Sequence, residues 1–416
     1  MRRSPYRPVT PQGWHQIRGA VALAGAGFER ITQRVQQMHE RIADLSFRNL
    51  ARAPVANAGS AVVRPVHDKI TQGVYGAVRG IGGAAFKALD VLLAHAEKSR
   101  TPALQPGQLP SQLVSAVNGA FGDYLLRNRN PLALRMGFYT HGQPLLIERS
   151  ALAAQFPTAS GKLVVFIHGL CCDETSWSFF STGEHAHNRP YAEQLQQQGF
   201  SPLFVRYNTG IRIEQNGRML AQLLTRLCEA WPQPIEQLVL IGHSMGGLVA
   251  RSACSYGVMG KADWAGKISH VFCLGSPHLG APLEKAAHLG VRVLQAFDVT
   301  EPLADLADER STGIKDLRHG KSHHPKRPRP PHVPLRPPQA HFHFVGSVMS
   351  GHSTLGRLLG DGLVRMRSAT ADHLADDSTE IDGLNHIQLL NHPEVYAVIA
   401  STLDLPQTRQ QEFTAG

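Results

Sequence analysis

Apolar residues recur with two different periods along the chain, and the change of period divides it. Ile31, Val35, Met38, Ile42 and Leu45 are spaced by three and four residues, which lines one face of a helix. Val74, Val78, Ile81, Ala85, Leu89 and Leu92 form a second stripe, broken by Gly80, Gly82 and Gly83. A third helix is expected over residues 111–126, with Ser111 as its N-cap. Three amphipathic segments ahead of any strand predict a helical N-terminal extension, residues 1–125. Stripes of this kind bury against a neighbouring core or dock on a membrane surface or partner helix, and the pattern leaves both open.

The period then shortens. Residues 132–139 and 144–148 flank His141-Gly142 as the arms of a hairpin. The runs 163–167, 238–241 and 271–274 are continuously apolar, as strands buried on both faces are, and 202–206 and 340–346 are further strands. Helices are expected over 192–198, 216–230, 248–256 and 395–403. This alternation predicts an α/β domain over residues 126–405, a mainly parallel sheet covered by helices on both faces, followed by a tail, 406–416. Residues 318–338 break the order: Arg318, Lys321, Lys326, Arg327, Arg329 and Arg336 share that stretch with seven prolines and no acid. Neither a helix nor a central strand tolerates this, so an exposed loop is expected. The wider segment 281–340, with apolar Leu289, Val291, Val293, Leu294 and Phe297, is a cap- or lid-like insertion in this reading.

Composition narrows the picture. In 416 residues, 42% hydrophobic and 18% charged side chains exclude a disordered chain. The net charge of +10 is uneven, since residues 1–150 carry 19 basic against 8 acidic side chains. A basic segment suits peripheral contact with an anionic membrane surface; with no nucleic-acid motif beside it, no nucleic acid partner is expected. Cys171, Cys172, Cys228, Cys254 and Cys273 are too few and irregular for a disulfide framework, and no C-x-x-C appears. Free thiols in a reducing, cytoplasmic compartment are the simpler expectation. The apolar stretch 20–28 after Arg2, Arg3, Arg7 and Arg18 imitates a signal peptide, but charge resumes at Glu29 and Arg30, so secretion is the lesser expectation. No run of 18 apolar residues predicts a spanning helix.

The chemistry concentrates around Gly242-His243-Ser244-Met245-Gly246. A Gly-x-Ser-x-Gly pentapeptide alone says little. Here the serine leaves a buried strand and enters a helix at once, a turn that lifts its hydroxyl above the sheet edge and needs small residues two before and two after. The turn also sets the Met245 amide at a helix N-terminus, where it can face an oxyanion. Upstream, the strand 163–167 ends in His168-Gly169-Leu170, and the Leu170 amide is a second oxyanion donor; His168 itself shapes the turn in this reading. A serine hydroxyl needs an imidazole base and an acid to orient it. The acid expected is Asp361 in Gly360-Asp361-Gly362-Leu363-Val364, against the plainer role of an Asp-Gly turn. The base expected is His386, with His392 its rival, although Pro393 and Glu394 make His392 a helix start. His341 and His343 share a strand face and His323-His324 lie upstream, yet no carboxylate or cysteine partner stands at ligand spacing, so no metal is expected. The mechanism calls for no cofactor.

These motifs, with Leu274-Gly275-Ser276-Pro277-His278-Leu279-Gly280, resemble bacterial α/β-hydrolases of the lipase/esterase group and are similar to its lipase-like and GPI inositol-deacylase-like branches. That group's Asp-Gly-Leu-Val pattern matches 361–364, and its late Asn-His matches Asn385-His386. Covering residues 130–405, the resemblance implies the α/β-hydrolase fold, an ester or lipid substrate, a Ser244, Asp361, His386 triad and oxyanion amides at Leu170 and Met245. Tyr207-Asn208-Thr209-Gly210 and residues 313–318 are similar to bacterial relatives that carry a helical N-terminal extension. Two departures stand out: the loop 319–338 lies where such enzymes place a lid, and Arg365 replaces the usual proline. The expected activity is hydrolysis of carboxylic esters through an acyl-enzyme. Its rivals are a thioesterase or acyltransferase using the same residues, and a non-catalytic, membrane-associated or interaction scaffold on this fold.

Overall fold

Strands 163–167, 238–241 and 271–274 lack polar positions because both of their faces are covered. In a computed structural model, which describes residues 13–51, 111–140, 142–181, 188–279, 335–348 and 374–406 with single positions between 64 and 90 and at 312, 316, 364 and 369–371, eight strands form one sheet. They are β1 (Gly137–Thr140), β2 (Gln143–Pro144), β3 (Lys162–Ile167), β4 (Ser201–Arg206), β5 (Gln237–His243), β6 (Ile268–Leu274), β7 (His341–Val348) and β8 (Asp377–Asp382). Their order is β2-β1-β4-β3-β5-β6-β7-β8. β1 runs antiparallel to β2 and β4, and every other pair is parallel. This is the order of an α/β-hydrolase sheet.

Alternate residues of each central strand serve opposite layers. Leu163, Val165, Ile167 and Leu240 pack with Leu220, Leu224 and Leu227 of the helix Ile213–Ala230 and with Leu248 of the helix Met245–Met259. Val164, Phe166, Val239, Ile241 and Phe272 pack with Leu195 of the helix Tyr191–Gln197 and with Val395 and Ile399 of the helix Pro393–Thr402. The described helices are labelled α1 (Gly13–Ala51), α2 (Ser111–Arg127), α3 (Arg149–Gln155), α4 (Tyr191–Gln197), α5 (Ile213–Ala230), α6 (Met245–Met259) and α7 (Pro393–Thr402). Fully burying each of these apolar side chains contributes about 1.5–3 kcal/mol, which makes the two layers the main source of stability.

α1 starts well before Ile31 and absorbs the apolar stretch 20–28. Its Leu23 packs with Val117 and Phe121 of α2, and Asn130 donates to the Gly19 carbonyl at 3.0 Å. α2 in turn lies over the loops after β3 and β4, through Gln112 to Thr175 at 3.0 Å and Asn208 to the Gly122 carbonyl at 3.0 Å. Described positions between 64 and 90 are helical, but the stripe from Val74 to Leu92 lies outside the described residues. Among the described residues, no helix is long and apolar enough to cross a membrane.

Two elements were not foreseen. α3 has seven residues and buries only Leu152, too little for a period to register. β8 is an edge strand bonded only to β7, and of its six residues only Ile381 is buried. Its polar sequence resembles a loop because one side of the ladder faces water. The hairpin forms with arms shorter than expected, closed at Gly142 with φ of 75°. Most of the expected cap 281–340, including nearly all of the loop 318–338, lies outside the described residues.

Candidate active site

Ser244 is the single residue between β5 and α6, and its backbone has φ 52° and ψ −119°. That conformation costs a residue with a side chain about 1–3 kcal/mol, so its surroundings must impose it. The Ser244 amide donates to the Leu274 carbonyl at the end of β6, 2.8 Å away, and the Gly247 amide closes back on the Ser244 carbonyl at 3.2 Å. The end of β3 presses on the same turn: a Cβ at Gly246 would stand 2.1 Å from the Ile167 carbonyl oxygen. No side chain fits there, which explains the second glycine of the motif.

The His168-Gly169-Leu170 turn meets the serine directly, since a Cβ at Gly169 would lie 3.1 Å from that of Ser244. Leu170 follows at once, and Met245 opens α6, where a first-turn amide has no acceptor within the helix. The turn is braced from β4. Tyr207 donates to the His168 carbonyl at 2.7 Å and stacks on its ring at 4.5 Å, while the Cys171 amide donates to Thr209 Oγ1 at 3.2 Å. His168 donates from Nδ1 to the Gly169 carbonyl at 2.9 Å, and burial holds its pKa down at about 4. It is a neutral ring that shapes the turn. Just beyond, Arg206 and Glu174 form a buried ion pair, with the guanidinium also 4.0 Å over the Tyr139 ring; this anchors the short 3-10 turn Glu174–Ser178.

His386 lies between β8 and α7 and is 2% exposed. His243 donates from Nε2 to the His386 carbonyl at 2.9 Å, and the two rings are 4.8 Å apart. Gly275 adopts φ 62° at the end of β6, and a Cβ there would come within 3.1 Å of the His386 ring and 2.9 Å of Leu389. The carbonyl just before it, that of Leu274, receives the Ser244 amide. Ser244, His386, Leu170 and Met245 therefore gather at the carboxyl ends of β3, β5 and β6. Asp361 lies outside the described residues; Val364, three positions on, is buried. His392 caps α7, accepting from the Glu394 amide at 3.4 Å, and so marks a helix start. Burial pushes the thiol of Cys172 up to about 12 and that of Cys171 higher still.

Sequence reasoning missed three supports. His243 ties the His386 loop to the serine turn, though its place inside the pentapeptide could have suggested contact. Tyr207 and Thr209 carry no chemical signal in the sequence, and both hold the His168–Cys171 turn. The Glu174–Arg206 pair has no local signal, since its members come from different elements.

Residues 158–301 match the PGAP1-like alpha/beta domain. This PGAP1-like segment runs from β3 through β6 and includes Leu170, Ser244 and Met245, while Asp361 and His386 follow it. No curated protein is a match for the sequence. Among solved structures, the RedJ thioesterase from the prodiginine biosynthetic pathway in Streptomyces coelicolor is 16% identical, over 59% of this chain and 91% of that one, with a TM-score of 0.34. An esterase of Pyrococcus furiosus is 15% identical over 59% and 82%, with a TM-score of 0.35. A lipase-esterase related protein from Clostridium acetobutylicum is 12% identical over 60% and 96%, with a TM-score of 0.34. Overlaps this loose carry no argument about chemistry. The α/β-hydrolase fold rests on the strand order together with the PGAP1-like match.

Proposed function

We propose that the protein hydrolyses carboxylic esters through an acyl-enzyme on Ser244. The observation that carries this reading is the serine itself, held at φ 52° between a buried strand and a helix, with the His168-Gly169-Leu170 turn against it and its amide bonded to the Leu274 carbonyl next to Gly275, which abuts the His386 ring. In the first step His386 takes the Ser244 hydroxyl proton as the oxygen attacks the ester carbonyl. The carbonyl oxygen gains negative charge, which the amides of Leu170 and Met245 receive. The tetrahedral adduct collapses, and the imidazolium returns its proton to the departing alkoxide. Water then enters, gives its proton to His386 and attacks the acyl carbon, and Ser244 leaves with the proton restored. Asp361 is assigned the acid that orients His386 and stabilises its cation.

Two exposed apolar side chains, Phe179 (41%) and Leu279 (52%), lie in the segments that follow β3 and β6 and suit an apolar acyl group. A cytoplasmic enzyme whose basic residues 1–150 touch anionic membranes belongs to the same proposal. Activity on short- and long-chain esters, with and without anionic vesicles, tests that part.

The decisive experiment is Ser244→Ala assayed on a chromogenic short-chain ester. The expected loss is about 10⁴-fold or more in kcat with unfolding behaviour retained. Fluorophosphonate labelling should modify the parent and not the variant. An unlabelled parent would point to a non-catalytic scaffold, and retained turnover in the variant would refute the assignment.

A further inference from the structure

The parallel pairing of β6, β7 and β8 collects a second set of polar side chains at the amino ends of these strands, the end of the sheet away from Ser244. His270 pairs with His341, and His343 pairs with Asp377. His341 and His343 are two apart on β7 and therefore point to one face, the face covered by α7. One nitrogen from each histidine and one oxygen of Asp377 all lie within 4.8 Å of one another. His341 Nε2 stands 3.3 Å from Asp377 Oδ2, and this buried nitrogen makes no hydrogen bond. The His270 ring is 5.7 Å from that of His341. Sequence spacing had offered no carboxylate for these histidines. The register of β8, a strand that its polar sequence concealed, supplies one, and this corrects the ground on which a metal was set aside.

We propose that His341, His343 and Asp377 bind a divalent ion of the zinc class, with the fourth position open to water or His270. Two imidazoles and one carboxylate are the donor set that zinc takes and that calcium or magnesium, which need oxygen cages, do not. Zinc bonds of about 2.0–2.1 Å bring tetrahedral ligands to about 3.3 Å apart, so rotation of these side chains closes the set without moving the strands. His343 already has an outer partner for the ring nitrogen that does not ligate: Nε2 meets Thr379 Oγ1 at 2.8 Å, and Nδ1 meets Thr402 Oγ1 at 3.3 Å. The longer contact to Thr402 is the one that yields to the ion, and the hydroxyl of Thr379 then orients the ring. Because Asp377 opens the exposed edge strand and is itself exposed, an ion here would clamp β8 to β7.

The test uses the full chain, stripped with a chelator and titrated with zinc chloride by calorimetry, then with cobalt(II) followed by visible absorption. The expected result is one zinc per chain with a Kd at or below about 1 μM, cobalt bands of tetrahedral intensity, and no competition from magnesium. Asp377→Asn and His341→Gln should each weaken zinc binding by about 10-fold or more and abolish the cobalt bands. Asp377→Asn guards against misfolding, as it is an isosteric change at an exposed position. Without metal its thermal midpoint should equal that of the parent, and zinc should raise the parent's midpoint only. Ser244→Ala should bind zinc as the parent does. Undiminished zinc binding in both ligand variants, or no binding tighter than about 100 μM in the parent, would overturn the proposal.

Discussion

Ser244 and His386, at the carboxyl end of the sheet, are 6% and 2% exposed, and backbone geometry sets their positions: a positive φ at the serine, a glycine under the β3 carbonyl and another against the His386 ring. At the amino end, His341 and Asp377 have side chains 35% and 67% exposed, and ordinary strand register alone brings them together. The first arrangement is rigid and intolerant of added atoms. The second is a rim of side chains with room to rotate. A nucleophile and its base, the roles proposed for Ser244 and His386, need fixed distances before any substrate arrives, whereas a cation, as proposed at the amino end, can draw loosely placed ligands around itself.

The comparison can be broken most strongly at the acid proposed for the triad. Asp361→Asn should lower kcat on a short-chain ester by about 10⁴-fold with little change in KM, since the amide neither orients His386 in the right tautomer nor supports its charge. A loss below tenfold would move the acid elsewhere. Next in size, Gly275→Ala places a methyl 3.1 Å from the His386 ring at a backbone φ of 62°, and should reduce kcat by about 10–100-fold. Steady-state kinetics showing a change only in KM would mean that the base is not held by this contact.

The smallest effect concerns both ends together. Burial lowers the pKa of His168 to about 4 at the carboxyl end, and lowers those of His343 and His270 at the amino end. Unfolded histidines titrate near 6.5, so below that pH the unfolded chain binds more protons and stability falls. The contribution is complete above about pH 6.5 and is lost as pH drops toward 4; for His168 it is on the order of 2–3 kcal/mol. Urea unfolding at pH 7, 6 and 5 should show the decline. His168→Gln should flatten it in part, and an unchanged slope in that variant would assign the effect to the amino-end histidines.

Legibility along the chain followed burial. The strands at 163–167, 238–241 and 271–274 could be read because a strand covered on both faces has no polar position, and α5 because one helical face is continuously apolar. The place of Ser244 between strand and helix was legible for the same reason: a buried run ends in Gly-His-Ser and a helix begins. β8 was not, since an edge strand in water keeps a loop's composition. Nor was the link from His243 to the His386 carbonyl, which joins residues far apart in the chain.

Local pattern thus determined the kinds of elements, their alternation, and a serine set in a turn that only small neighbours permit, because each depends on residues a few positions apart. Tertiary structure decided what meets what. The strand order carries the β6 end to Ser244 and Gly275 to His386, the Tyr207 hydroxyl to the His168 carbonyl, and Asp377 to two histidines on the next strand. These contacts arise from parallel crossovers, which bring distant segments side by side without leaving a periodic trace in the sequence.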